Sequence, residues 1–488
     1  MSSTLIVSII LAYFLLLLVI SLRSSRGAGN ASFFLGDRKS PWYVVAFGMI
    51  GASLSGVTFI SLPGWVVDSQ FSYMQLVLGY LLGYFVIANV LMPLYYRLQL
   101  TSIYTYLEER FGRFSYKTGT YFFLISKIIG ASFRLFLVAS VLQLTLFDPW
   151  NVPFYVTVLV TIALIWLYTF RGGIKTIIWT DTLQTFSMLT ALVVSIIMIT
   201  KSMDLSLGEM IGRVAAGEDS RIWFFNDWKI EHHFVKHFLS GAFIAIVMTG
   251  LDQDMMQKNL SCRNIKEAKK NMYVMSISLL PVNLVFLFLG AVLIQFARFR
   301  GIAIPETTDN FFPMIATGGY LPQVVGVFFI LGLVAAAYSS ADSALTALTT
   351  SFTVDVLEGQ RWEDQKLTRI RRWVHLGMSI VLGLTIMLFR VINDESVISA
   401  IFRMAGYTYG PLLGLYAFGL FTRLRVRDRL VPVLAILSPV LSFLLSHFSE
   451  QLFNGYQFGF ELLIVNGAIM FLGLLLSSRR AAVTGSRP

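Results

Sequence analysis

Cysteine is almost absent. The single one, Cys262, excludes an internal disulfide and any cysteine-built metal cluster. Charge is scarce as well: 13% of the 488 residues are Asp, Glu, Lys or Arg, while 56% are hydrophobic. A soluble domain carries about a quarter charged residues, so this composition excludes one of any size. No alternating strand pattern points to a β-barrel, which leaves helices to satisfy backbone groups that face lipid. No linker, domain boundary or low-complexity tract interrupts the chain, and no sequence repeat is legible. Neither a histidine nor a second acid motif accompanies the intramembrane aspartates in their spans, which argues against a hydrolase or transferase, and no enzyme activity is expected. Of the five histidines, His232, His233 and His237 lie in or beside one external loop, where metal binding is the lesser reading.

What the chain does have is apolar length. Runs able to cross about 30 Å of hydrocarbon recur at 4-22, 41-67, 73-96, 118-147, 153-170, 176-200, 235-252, 271-297, 322-355, 373-391, 396-421, 429-447 and 460-478. They predict an all-α polytopic membrane protein of about 13 transmembrane helices. With the N-terminus outside, 27 of the 38 Lys and Arg fall in cytoplasmic loops and tail, 8 in external loops and 3 within spans. This is the positive-inside pattern of an inner (plasma) membrane protein with a cytoplasmic C-terminus. The net charge of +11 is then a topology signal, and no nucleic-acid partner is expected. MSST carries no basic residue and Arg23 and Arg26 follow the first run, so a retained helix is favoured over a cleaved signal.

Two spans carry polar chemistry. In Phe47 to Trp65, Gly48, Gly51, Ser53, Ser55 and Gly56 gather near the middle, with Pro63 and Gly64 further out. Weak helix formers at that depth suit a broken helix whose freed carbonyls face a cavity and can hold a cation; close helix packing is the plainer alternative. A second break is expected around Thr249 and Gly250. In Leu331 to Val356, Ala336, Ser339, Ser340 and Ser343 share one helix face and offer the oxygen ligands that hard cations prefer. Asp342 adds a carboxylate there, and Asp181 lies at a matching depth in its own span; the alternative for Asp181 is a pair with Lys175. Arg134, near the centre of its span, has a fork suited to a carboxylate, or to an Asp or Glu of the bundle. Lys127 and Arg403 are further intramembrane cations with structural or gating roles.

Several stretches in order resemble the sodium:solute symporter family over about residues 33 to 425. They are FFLGDRKSPWYVVAFGMIGASLSGVTFISLPG, LYYRLQLTSIYTYLEERFG, WTDTLQ, GLDQDMMQKNL, AAAYSSADSALTALTTSFTVDV and YGPLLGLYAFGLF. The resemblance implies the leucine-transporter (LeuT) type of fold, an inverted repeat of five plus five helices. Residues 4-22 would form a leading helix, 41-200 and 235-421 the two repeats, and 429-478 two trailing helices. It implies a sodium site from the carbonyls of Gly51, Leu54 and Ala336 and the hydroxyls of Ser339 and Ser340. Some members have a second sodium site, here matched by Asp181, Ser339 and Ser343, with Asp342 where those members have a hydroxyl residue; a proton is the other candidate ion. Ser55, Thr58, Phe71, Gln75 and Arg134 resemble the solute-contacting set of sialic-acid-transporting members. Met248 and Thr249 stand where sugar-transporting members place an inner-gate aromatic. The expectation is a sodium-coupled symporter that, as a monomer in the lipid bilayer, imports a small polar solute, best a carboxylated sugar such as sialic acid. An amino acid, another carboxylate, a neutral sugar or a polyol is the alternative solute; an ion channel or transporter-like sensor is the alternative class.

Overall fold

A computed structural model describes residues 3–170, 173–392 and 397–478. The basic tail past residue 478, part of the inward charge in the topology expectation, lies outside these residues. Each expected apolar run is helical. The helices are α1 (Ser3–Ser24), α2 (Trp42–Ser69), α3 (Tyr73–Arg97), α4 (Arg113–Trp150), α5 (Phe154–Thr169), α6 (Ile174–Lys201), α7 (Phe234–Gly250) and α8 (Gln253–Leu260). They continue as α9 (Ile265–Arg300), α10 (Gln323–Val356), α11 (Asp364–Val391), α12 (Val397–Thr408), α13 (Gly410–Phe421), α14 (Asp428–His447) and α15 (Leu462–Ser477). Among the described residues nine helices are long and apolar enough to cross a membrane, and α7 with α8, bent by 65°, makes a tenth. The expected thirteen is therefore not reached by length. The 16 residues each of α5 and α15 rise about 24 Å, short of about 30 Å, and the run 396-421 is divided between α12 and α13.

Large apolar side chains such as Leu15, Phe186, Leu388 and Ile436 are more than half exposed, as suits a surface against lipid. α10 lies at the opposite extreme, with residues 332–351 all buried. It packs on α2, α4 and α6, and α2 also packs on α6 and α9. A Cβ on Gly51 would collide with Thr185, so the α2–α6 crossing requires glycine there.

The first helix of each expected half is the broken one. In α2 the backbone leaves the helix at Ser55, with φ 48° and ψ 172°, a conformation that a side-chain-bearing residue adopts at a cost of about 1–3 kcal/mol. α7 loosens over Ile246–Gly250 and the chain turns at Leu251 and Asp252, two residues beyond the expected break. The carbonyls freed there are met from α3 and the loop after it: Tyr95 donates to the Gly250 oxygen and Tyr104 to the Leu251 oxygen, both at 2.9 Å. The Asp252 carboxylate caps α8 by accepting from the amides of Asp254 (2.9 Å) and Met255 (3.3 Å).

α3 and α7 meet through small residues. A Cβ on Gly79 would strike the Phe238 carbonyl, and one on Gly241 would strike the Leu76 carbonyl. Gly241→Ala should destabilise the protein by about 1–3 kcal/mol through this overpacking, read as a lower Tm in detergent. Gly208→Ala, where a Cβ meets nothing within 4 Å, is the control and should leave Tm unchanged. Equal Tm values for both variants would contradict this packing.

Candidate functional site

Both breaks face a central cavity of about 110 Å3. Ser55 and Thr58 from α2, Arg134 and Lys127 from α4, and Asp252 and Asp254 at the turn into α8 are among its lining. Three of the five expected solute contacts, Ser55, Thr58 and Arg134, are thus brought together. Among the described residues Arg134 has no ion pair within 4 Å, and its buried Nε finds no acceptor. The expected alternative of a pair with Asp or Glu is not what the structure shows. A guanidinium at this depth with open donors is suited to an anionic guest.

Phe71 and Gln75 do not line the cavity, which corrects the five-residue grouping. They stand at the outer start of α3 and fasten the 201-234 loop. Gln75 Nε2 donates to the His232 carbonyl (2.9 Å) and its Oε1 accepts from the Phe224 amide (3.2 Å), while the Phe71 amide donates to the Arg221 carbonyl (3.0 Å). The face of α3 that does line the cavity carries Tyr73, Tyr80 and Tyr84, with the Tyr73 and Tyr80 hydroxyls 3.1 Å apart. Their spacings of seven and four put them on one face, a signal present in the sequence and missed. Met248 and Thr249 also line the cavity.

Phe402 divides this cavity from an outer one of about 660 Å3 lined by Asp68, Glu231 and Arg403 among others. Its ring centroid lies 6.4 Å from that of Tyr73 and 5.0 Å from that of Phe460. Nearby, His232 and His237 approach to 3.4 Å, and His232 also reaches the Ser69 hydroxyl (3.1 Å). Burial holds the His232 imidazole below its ordinary pKa. Among the described residues no group of three or more His, Cys, Asp or Glu side chains could hold a metal.

Of the expected first sodium set, Leu54, Ser339 and Ser340 line the cavity, and Gly51 and Ala336 stand one turn from them along α2 and α10. The Ser340 hydroxyl donates to the Ala336 carbonyl at 3.2 Å. That separation suits two oxygens sharing a hard cation at about 2.4 Å from each.

The expected second ion set is arranged differently from the expectation. Ser339 donates to Asp181 Oδ1 (2.8 Å), but Oδ2 of Asp181 faces the Lys258 ammonium at 2.8 Å. The pair expected as the alternative, Asp181 with Lys175, is absent: Lys175 lies 3.7 Å from Asp37. Asp342 turns toward α5 and α6, accepting from Tyr168 (2.9 Å) and Thr180 (3.5 Å), and Ser343 donates to it at 3.2 Å. Lys258 lies 3.8 Å from Asp254, which lies 2.7 Å from Lys127, which lies 3.2 Å from Asp252, to which Tyr409 donates at 2.6 Å. This buried ladder closes the floor of the cavity, and it gives Lys127 the structural role open to it. By sequence Lys258 is one of the inward basic residues, and nothing adjacent to it marks a place at the site.

The family model for the sodium:solute symporter family matches residues 33–427. The sodium-coupled monocarboxylate transporter 1 of Mus musculus is 26% identical over 410 residues, 80% of this chain and 64% of its own length. This chain therefore spans just under two thirds of that relative. The sodium/sialic acid symporter NanT of Aliivibrio fischeri is 26% identical over 435 residues, 84% of this chain and 81% of its own. A solved substrate-bound, outward-open structure of a Na+-coupled sialic acid symporter superposes with a TM-score of 0.79 at 19% identity, covering 98% of this chain and 99% of that one. A closed nucleobase–cation symporter follows at 0.54 and 14% identity. The all-helical fold with paired broken helices is thus the LeuT type, as the motifs led one to expect, and with the family model spanning most of its length the chain belongs to the sodium:solute symporter family.

Proposed function

We propose that this protein is a sodium-coupled symporter that imports a small carboxylated solute by alternating access. The observation that carries the reading is the open guanidinium of Arg134 in a cavity shared with the break at Ser55. Relatives named for monocarboxylate, sialic acid and iodide transport all handle anions, which supports the same class. The cavity of about 110 Å3 is below the roughly 300 Å3 at which pockets for drug-sized ligands begin. A short carboxylate therefore suits this conformation better than sialic acid, which requires the cavity to widen. The sugar acid keeps Ser55, Thr58 and Arg134 of its five expected contacts.

In this mechanism sodium binds Gly51, Leu54, Ala336, Ser339 and Ser340, joining the break in α2 to α10 and completing the wall on which the solute sits. The carboxylate docks on Arg134, and Phe402 with Tyr73 closes the outer side. Opening inward parts the ladder of Lys127, Asp252, Asp254 and Lys258, as the repeats 41-200 and 235-421 move against each other. The membrane potential drives each sodium charge inward by about 2.3 kcal/mol per 100 mV. The orientation is N-terminus outside, C-terminus cytoplasmic, in the inner membrane, and a monomer suffices.

Ser340→Ala removes one ligand, about 1–2 kcal/mol, and should raise the sodium concentration for half-maximal uptake roughly 5- to 30-fold. Uptake at saturating sodium should change far less. An unchanged sodium dependence in proteoliposomes would remove Ser340 from the ion site.

A further inference from the structure

Lys258 is 1% exposed and stands on α8 with its ammonium 2.8 Å from Asp181 and 3.8 Å from Asp254. The first separation is that of a direct charge-assisted contact. The carboxylate that would anchor a second ion site is already paired with this ammonium. Asp181 Oδ1 accepts from Ser339, Asp181 Oδ2 faces the ammonium, and the Ser343 hydroxyl is turned to Asp342. A sodium ion beside Asp181 Oδ2 would compete with the ammonium for the same oxygen, and two like charges in this enclosed space repel. An ammonium carried on a side chain also differs from a free ion in one respect: it never leaves with the solute.

We propose that Lys258 is a built-in cation that fills the second ion place, so that sodium enters only at the site of Ser339 and Ser340. The inference rests on the sodium-symport reading for the first site, but not for the second. One sodium moving with one monocarboxylate transfers no net charge, whereas two would transfer one. Lys258 thus sets how strongly membrane voltage drives uptake.

The test is to count isotopic sodium bound at saturation to the purified full chain, in the wild type, in Lys258→Gln and in the double variant Asp181→Asn/Lys258→Gln. Lys258→Gln should bind one sodium more than the wild type, and the double variant should return to the wild-type count. Equal counts for the wild type and Lys258→Gln would overturn the proposal, as would a wild type that already binds two. The double variant replaces both charges with neutral amides and remains informative if Lys258→Gln fails to fold: a count below wild type would mean that Asp181 held sodium all along, which also overturns the proposal. A wild type that binds none while Lys258→Gln gains one would uphold Lys258 as the resident cation and sink the sodium reading of the first site instead.

Discussion

Arg134→Ala should reduce uptake of carboxylated solutes by about 30- to several-thousand-fold. Removing one partner of a desolvated charge pair costs about 2–5 kcal/mol, and each 1.4 kcal/mol is tenfold in affinity. The loss should fall on the solute and spare the fold. Among the described residues Arg134 holds no ion pair that its removal would break, so Tm should stay near the wild-type value. Arg134→Lys should recover part of the loss, because an ammonium keeps the charge but lacks the two-pronged geometry. The measurement is competition against a labelled carboxylate by unlabelled carboxylates and by their neutral amides. An equal loss for acids and amides, accompanied by a lower Tm, would show that Arg134 supports the bundle and does not recognise the solute.

Asp181→Asn should produce the largest loss of stability, about 3–5 kcal/mol. It leaves the Lys258 ammonium buried with Asp254, 3.8 Å away, as its one remaining carboxylate within 4 Å among the described residues. Asp181 is itself 1% exposed, so water cannot readily take the place of the lost partner. Adding Lys258→Gln to Asp181→Asn should restore most of that stability, since the buried charge is then gone. Thermal unfolding of the purified protein in one detergent reads both effects. A Tm unmoved by Asp181→Asn would mean that the pair contributes nothing to the folded state, whatever its separation.

Much of this architecture was legible because lipid imposes simple rules. Apolar runs became helices at every expected place, and glycine and serine crowded at mid-span marked the α2 break at Ser55. Span number is less legible, because composition shows an apolar run but not how much of it forms one continuous helix, as at α12 and α13. The solute site was half legible. Ser55, Thr58 and Arg134 share a cavity because the break fixes two of them and α4 passes beside it. Phe71 and Gln75 went astray because the register of α3 relative to the outer loop depends on tertiary contacts with Phe224 and His232. The tyrosine stripe that takes their place was readable, but a tyrosine face in a membrane helix also serves packing.

Lys258 beside the expected second ion set was illegible for a different reason. Lysines near a cytoplasmic boundary are usually topology signals, and no local pattern distinguishes Lys258 from Lys266 or Lys269. Only the 65° bend between α7 and α8 carries it into the bundle against Asp181. The same bend brings Asp252 and Asp254 under the cavity, where Lys127 meets them. A charged floor to the cavity is thus a consequence of chain geometry that spacing along the sequence does not reveal.

Sodium-coupled carboxylate import is tested most directly by uptake of labelled small carboxylates, sialic acid among them, into proteoliposomes with and without an inward sodium gradient, with neutral sugars in parallel. Accumulation of at least one carboxylate is expected, with collapse of that accumulation when sodium is replaced by choline and no comparable uptake of neutral sugars. Carboxylate accumulation that persists without sodium, or sodium-driven uptake confined to neutral sugars, would contradict it.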